Sequence, residues 1–264
     1  MKIEIPVTAA EEQRRLKLSV CTDAVYAGIP TGEAAEDVLR RGFEAIEFWG
    51  WWDKDLSPVQ RLHEEQGLTV AAFCTRFISL VDEKCRGDYV AALKETLDAA
   101  GRLGTKVIIS QTGNDLGTDR AGQRRCMAEG LKECAPLLEE AGVTLAVEPL
   151  NLRVDHAGYF LSSSDECADI LAEVGSPNVK MLFDVYHQQI TEGDICRRIG
   201  QHLPLIAHFH TAGNPGRHEL YSSELDYAKV FETIRETGYE GYVGLEYMPA
   251  DEVGTGLAFA KELF

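Results

Sequence analysis

Eight short apolar segments alternate with longer amphipathic segments along nearly the whole 264-residue chain. Each apolar segment is a near-continuous run of aliphatic or aromatic residues, the pattern of parallel strands that are covered on both faces. The segments are 17–22, 45–50, 69–74, 106–111, 144–149, 180–185, 205–210 and 242–247. A strand–helix–strand order repeated in this way predicts right-handed βαβ units and one parallel sheet.

Segments with helical periodicity, such as 89–104 and 121–142, separate the predicted strands. Several of these segments end in a glycine that suits a left-handed helix cap, namely Gly42, Gly67, Gly104, Gly142 and Gly238. Eight βα units in a chain of this length match a closed (β/α)8 barrel, whereas an open doubly wound sheet usually begins with a glycine-rich phosphate turn that is missing here. We predict an α/β fold, a single-domain TIM barrel over residues 1–264, with residues 1–16 as an N-terminal extension.

The chain carries 43 acidic and 26 basic residues, a formal net charge of −17. Nucleic acids and anionic membranes bind clustered Lys and Arg, so neither is an expected partner. No apolar run is long enough to span a membrane, and the N-terminus lacks the pattern of a secretory signal. The seven cysteines are odd in number and never spaced as CxxC, which indicates reduced thiols. We expect a cytoplasmic enzyme, a homo-oligomer, that acts on a small molecule.

Chemistry in such a barrel collects where the strands end, at the C-terminal face. The last four strands end in Glu148, Asp184, His210 and Glu246. Unpaired charges are costly in apolar strands, and three carboxylates together require a cation. Oxygen and nitrogen ligands of this kind suit Mg²⁺, Mn²⁺ or Co²⁺, with Zn²⁺ less typical. The four residues therefore predict a divalent metal site with positions left for substrate or water.

Other polar residues are expected near this site. His208 points the same way as His210 but one layer deeper, which favours a supporting or packing role. His187, on the loop after strand six, is placed to touch a substrate oxygen, and Arg217, beyond the "GNPG" turn, could reach back over the mouth. Glu47 ends strand two, and we group it with the substrate-binding residues, although a role behind the metal ligands is equally open.

Two further features allow more than one interpretation. The "FWGWW" run at 48–52 is typical of an apolar wall or a subunit contact, but one of its aromatic rings could also shield the site from water. Asn151, three residues past Glu148, could belong to the site or could equally be a turn residue.

Four motifs in order, "AVEPLN", "LFDVYHQQITEGD", "IAHFHTAGNPGRHE" and "GYEGYVGLEYMP", resemble the hydroxypyruvate isomerase branch of the xylose isomerase-like barrel superfamily. The resemblance covers strands five to eight closely and the first half mainly through barrel spacing. It implies that Glu148, Asp184, His210 and Glu246 bind the divalent metal. It also implies that Glu148 and Glu246 transfer protons, with His187 and Arg217 on substrate oxygens.

The implied reaction interconverts a small hydroxy-ketone or sugar and a hydroxy-aldehyde through an enediolate. Two departures from the branch lie at the mouth. His210 stands where the branch often carries glutamine and follows the pattern of ketose 3-epimerases. The segment "LYSSELDY" replaces the usual continuation of the loop. A ketose 3-epimerase of the tagatose or psicose type, an inosose-type dehydratase and a non-catalytic binding barrel remain alternatives. A DNA endonuclease would need more histidine ligands and a basic groove.

Overall fold

The computed structural model describes residues 15–263, in which eight parallel strands form one closed barrel in the order of the sequence. Each strand pairs with the next, and β8 pairs with β1 to close the sheet. The strands are β1 Lys17–Cys21, β2 Ala45–Phe48, β3 Thr69–Cys74, β4 Val107–Ser110, β5 Thr144–Val147, β6 Val179–Asp184, β7 Ile206–Thr211 and β8 Tyr242–Leu245. The predicted single-domain (β/α)8 barrel is therefore confirmed.

Helices surround the barrel and connect successive strands. The described α-helices are Thr22–Val25, Thr31–Arg40, Ser57–Gln66, Arg86–Leu103, Arg120–Ala141, Ser164–Val174, Val185–Thr191, Ile195–His202, Tyr227–Glu236 and Val253–Glu262. Short 3₁₀ helices lie at Glu83–Cys85, Leu203–Leu205 and Leu220–Ser222. Within residues 15–263, no helix combines the length and hydropathy required to cross a membrane.

The helix ends agree with the glycine signals in the sequence. All five predicted cap glycines have positive φ, from 61° at Gly142 to 77° at Gly42, which is the left-handed conformation that such a cap requires. Of the expected N-terminal extension, only Arg15 and Leu16 fall within the described residues.

The apolar core has two parts. The larger part fills the space between the sheet and the helices, and includes Val20, Ile46 and Phe209 from the strands. A separate small cluster lies inside the barrel and comes from β3 to β6: Ala72, Cys74, Ile109, Ala146 and Leu182. Successive side chains of a strand point to opposite faces, so residues next to the outward-facing core side chains point into the barrel. This alternation directs the polar side chains at the ends of β6 to β8 toward the barrel axis.

Candidate active site

Four polar side chains from the last four strands meet at the C-terminal end of the barrel. Asp184 and His210 are within β6 and β7, while Glu148 and Glu246 directly follow β5 and β8. One ligand atom from each lies within 4.8 Å of the others, and all four residues are buried. We call these four residues the ligand cluster. The structure thus brings together the residues that the strand ends predicted as metal ligands.

His210 occupies the centre of the ligand cluster. Its Nδ1 lies 3.3 Å from Glu246 Oε2 and 3.6 Å from Glu148 Oε1, and its Nε2 lies 3.3 Å from Glu47 Oε1. Burial alone lowers the pKa of the imidazole, but the carboxylates of Glu246 and Glu47 outweigh burial and hold it well above its ordinary value. Without a metal ion, a protonated His210 and the guanidinium of Arg217 balance these acids.

The donor set fits a divalent ion. Three carboxylates and one imidazole are ligands that Mg²⁺, Mn²⁺ and Co²⁺ accept. His210 Nδ1 is buried and makes no well-formed hydrogen bond within residues 15–263, although two carboxylates flank it. Burial raises the pKa of Asp184, because the charged carboxylate has lost water without a full replacement. A bound cation would satisfy both groups at once.

Glu246 is held at both of its carboxylate oxygens. Trp49 Nε1 donates a 2.6 Å hydrogen bond to Oε1, and an Arg217 guanidinium nitrogen donates a short one to Oε2. Burial raises the pKa of Glu246, but His210 and Arg217 outweigh it and keep the pKa well below the ordinary value. Glu246 is therefore an anion with a fixed orientation.

Arg217 reaches the site from the loop after β7. Its backbone has φ 58°, uncommon for a residue with a side chain, and its carbonyl accepts a 2.6 Å hydrogen bond from Met248 N. Its guanidinium lies 5.5 Å from the centre of the Tyr186 ring. Burial alone lowers the pKa of Arg217, but the carboxylates of Glu246 and Asp184 outweigh burial and raise it above the ordinary value. The guanidinium is therefore a permanent cation over the ligand cluster.

His187 is a neutral hydrogen-bond donor. Its Nδ1 accepts from Asn151 Nδ2 at 2.7 Å and from Asn151 N at 3.3 Å, so the ring proton is on Nε2. Asn151 Oδ1 itself accepts from the backbone amides of Val154 and Asp155, which fixes the amide orientation. Burial, reinforced by Arg217, lowers the pKa of His187 to about 3. Its Nε2 is buried and lies 3.6 Å from Asp184 Oδ2.

A cavity of about 320 Å³ opens above these residues. Its polar side includes Glu148, Glu246, His187, His210 and Arg217, and its apolar side includes Trp49, Phe77, Leu150 and Tyr159. The volume is at the small end of the ~300–1,000 Å³ range of ligand pockets, which suits a small substrate.

Glu47, which the sequence groups with the substrate-binding residues, does not line this cavity. It lies inside the barrel, where its Oε2 accepts a 2.6 Å hydrogen bond from His208 Nε2. Burial raises the pKa of Glu47, but the imidazoles of His210 and His208 outweigh it and lower the pKa to about 2. The structure places Glu47 with the two histidines of β7.

Sequence reasoning left three residues of the site without an assigned role. Trp49 belongs to the aromatic run, but nothing in the run identifies which of its rings turns inward. Gln111, the last residue of the predicted fourth strand, donates a 3.4 Å hydrogen bond to Glu148 Oε2. The sequence could have identified Gln111, because it ends a predicted strand as Glu148 and Glu246 do. Asn151 orients His187, which lies in the helix Val185–Thr191 and not on a loop as expected, and the sequence alone does not reveal this contact.

Glu219, left without a role by the sequence, ties two loops together. Its buried carboxylate accepts hydrogen bonds from the backbone amides of Ala250 and Asp251, at 3.1 and 3.0 Å to Oε1. The neighbouring His218 Nδ1 lies 2.9 Å from the Met248 carbonyl oxygen. These contacts fix the loop that carries Arg217 against the loop that follows Glu246.

Residues 35–263 match the sequence model of the xylose isomerase-like TIM barrel family. The chain belongs to this family. It is 33% identical to the 2-oxo-tetronate isomerase of Cupriavidus necator, over 83% of this chain and 88% of that protein. It is 26% identical to the hydroxypyruvate isomerase of Escherichia coli, over 84% of this chain and 89% of that protein. The resemblance to the hydroxypyruvate isomerase branch is thereby confirmed.

Solved structures share the fold over nearly the whole chain. One described as an AP endonuclease of family 2 from Brucella melitensis is 27% identical, with a TM-score of 0.87 over 94% of this chain and 99% of that one. A D-allulose 3-epimerase from a Methylomonas species is 18% identical, with a TM-score of 0.79 over 95% and 98%. The second likeness shows a common fold and nothing about activity.

Proposed function

We propose that the chain is a divalent-metal-dependent isomerase that interconverts a small hydroxy-ketone and the corresponding hydroxy-aldehyde. The observation that carries this proposal is the buried ligand cluster at the floor of a small cavity, with His187 and Arg217 beside it. The relatives named as isomerases of hydroxypyruvate and 2-oxo-tetronate support the same class of reaction.

The ligand cluster would hold Mg²⁺, Mn²⁺ or Co²⁺, and its imidazole also permits Zn²⁺. Such an ion supplies Lewis acidity, which lowers the pKa of the carbon-bound proton between a carbonyl and a hydroxyl group. The protein's own residues then have three tasks: to remove that proton, to return it, and to hold the substrate oxygens in place.

Glu148 and Glu246 are the two bases. Glu246 is tied at both oxygens, by Trp49 and Arg217, whereas the Oε2 of Glu148 receives only the long hydrogen bond from Gln111. We infer that Glu148, the less restrained carboxylate, removes the proton and leaves an enediolate. Delivery of the same proton to the adjacent carbon, together with passage of the hydroxyl proton to the former carbonyl oxygen, completes the isomerisation.

Arg217 and His187 would bind the substrate oxygens. The Arg217 guanidinium donates a hydrogen bond to Glu246 Oε2 and can donate it to a substrate oxygen instead. Glu246 Oε2 is then free to act as the second base. The neutral His187 ring donates a hydrogen bond from Nε2–H to a substrate oxygen and keeps its proton throughout the reaction. The substrate class is a small hydroxy-carbonyl compound or sugar.

The test is NMR of a panel of hydroxy-ketones and 2-oxo acids in D₂O with Mg²⁺ or Mn²⁺. We expect metal-dependent deuterium uptake at a carbon next to the carbonyl group, with formation of the isomeric aldehyde. The variant Glu246→Gln is the matched control, because it removes the charge and keeps the shape. A metal-loaded protein that exchanges no proton in any of these compounds would refute the proposal and favour a binding barrel.

A ketose 3-epimerase is the second candidate, because His210 follows the epimerase pattern at a position where the isomerase branch often has glutamine. Epimerisation needs Glu246, in its protonated form, to deliver a different proton to the same carbon from the opposite face. The NMR experiment separates the two reactions, since an epimerase gives a second ketose instead of an aldehyde. An inosose-type dehydratase would release water instead.

A nucleic-acid substrate is disfavoured by the net charge of −17. We also propose that the protein is cytoplasmic and forms a homo-oligomer. The seven cysteines are all free, which is expected in a reducing compartment.

A further inference from the structure

Glu47, His208 and Ser19 form a polar group inside the barrel, below the ligand cluster. Glu47 belongs to β2 and His208 to β7, and β8 and β1 lie between these strands. Glu47 Oε2 accepts hydrogen bonds from His208 Nε2 at 2.6 Å and from Ser19 Oγ at 3.3 Å. This oxygen is therefore fully engaged, and only Oε1 is left to interact with the residues above.

Glu47 Oε1 faces His210 Nε2 across 3.3 Å. Both atoms are buried, and no other residue in the described part of the chain gives either of them a hydrogen bond. The opposite ring nitrogen, His210 Nδ1, lies between Glu148 and Glu246. The imidazole thus has the ligand cluster on one side and the Glu47 carboxylate on the other.

Gly244, in the interior of β8, leaves the space in which this contact forms. A Cβ atom at this position would lie 2.1 Å from Glu47 Oε1 and 2.7 Å from His210 Cδ2. In the sheet, Gly244 pairs with His210 of β7 and with Ser19 of β1. A glycine inside a strand weakens it and often marks a close approach of other groups. Here those groups are the carboxylate and the imidazole.

We propose that Glu47 is a positioning residue that accepts the Nε2 proton of His210 and so presents the Nδ1 lone pair to the metal, with Gly244 as the required gap. The proposal rests on the metal site proposed above. A carboxylate behind a ligating histidine fixes both its tautomer and its ring orientation, and the loss of such a partner weakens metal affinity by about 10–100-fold. His208 and Ser19 hold the other oxygen of Glu47 in place.

The first test measures Mn²⁺ affinity by calorimetry for the whole protein and three variants. Glu47→Gln leaves a single acceptor oxygen for two imidazoles, and Gly244→Ala places a methyl group against both the Glu47 carboxylate and the His210 ring. We expect each to weaken Mn²⁺ binding by about 10-fold or more. Glu44→Gln, the same change at an exposed position three residues earlier, should bind as the wild type does.

The second test needs no variant. In ¹⁵N spectra of histidine-labelled protein loaded with diamagnetic Zn²⁺, His210 should carry its proton on Nε2 and the metal on Nδ1. The opposite arrangement would overturn the inference, and so would folded Glu47→Gln and Gly244→Ala proteins with wild-type Mn²⁺ affinity. If the wild-type protein binds no divalent metal, the proposed function fails and the inference fails with it.

Discussion

Replacement of Asn151 by aspartate tests how the proton of His187 is placed. The Asn151 amide nitrogen donates to His187 Nδ1 at 2.7 Å and to Asp155 Oδ2 at 2.7 Å, while its oxygen accepts from the backbone of Val154. Asn151→Asp puts an acceptor where this donor was. We expect the ring proton of His187 to move to Nδ1, because the carboxylate at 2.7 Å outweighs the 3.3 Å contact from the Asn151 backbone amide. Nε2 then becomes an acceptor that cannot donate to a substrate oxygen.

The size of the effect follows from these contacts. Loss of one positioned donor to an oxygen that gains charge lowers turnover by about 10²–10³-fold. The new carboxylate also lies at hydrogen-bond distance from Asp155. Repulsion at this separation is about 1.5 kcal/mol in a water-like medium. The loss of stability from this repulsion cannot exceed about 4 kcal/mol at pH 7, because at that cost one of the two carboxyl groups takes up a proton and the repulsion ends. The repulsion raises the pKa of the carboxyl pair in the folded protein above its value in the unfolded chain. The loss of stability should therefore disappear as the pH falls below about 4.

Two measurements separate activity from stability. Steady-state turnover at about pH 8 keeps His187 of the variant neutral, and ¹⁵N spectra report which ring nitrogen is protonated. The double variant Asn151→Asp with Asp155→Asn supplies the control, because it removes the repulsion but leaves a carboxylate beside His187. We expect stability to return in the double variant while turnover stays low. Turnover at the wild-type level in a folded Asn151→Asp protein, with the proton on Nδ1, would refute the reasoning.

Four further predictions follow from the site. Glu246→Gln should lower turnover by about 10²–10⁴-fold in a protein that still folds, with some loss of stability because Trp49 or Arg217 then faces an amide nitrogen. The exposed control Glu240→Gln should leave turnover and melting temperature unchanged. Glu219→Ala leaves the amides of Ala250 and Asp251 without their acceptor, so urea unfolding should show a loss of about 1–3 kcal/mol, and an unchanged midpoint would contradict the role given to Glu219. Chelation should abolish turnover, and added Mn²⁺ should restore it and raise the melting temperature; activity that survives chelation would exclude metal dependence. If Glu148 alone carries the proton, a substrate deuterated at the reacting carbon should give product in H₂O that retains part of its deuterium, whereas complete loss in every turnover points to a second base.

The fold could be predicted because a (β/α)8 barrel repeats one local pattern eight times. Apolar runs such as 69–74 coincide with a strand of the structure, and helix ends such as Gly104 follow from local backbone conformation. Strand ends were less accurate, since the fifth and eighth strands stop before Glu148 and Glu246. The error did not matter for the site, because residues just past a strand end remain at the mouth of the barrel.

The site could be predicted only as far as strand ends determine it. Glu148, Asp184, His210 and Glu246 converge because equivalent positions on neighbouring parallel strands lie at one depth. The partners of these residues come from other parts of the chain: Trp49 is 197 residues from Glu246 in sequence. Which aromatic ring turns inward depends on packing among neighbouring loops, and the sequence pattern does not contain that information.

Below the ligand cluster, the interior of the barrel has an apolar side and a polar side. The strands β3 to β6 contribute the small apolar cluster around Ile109 and Leu182. The strands β1, β2 and β7 contribute Ser19, Glu47 and His208, which bond one another across the axis. Because β2 and β7 are not neighbours in the sheet, their contact exists only when the barrel closes. A buried carboxylate is stable in such a place only with charged or hydrogen-bonded partners. Closure of the sheet therefore brings Glu47 beneath His210, whereas the ligand cluster itself comes from four consecutive strands.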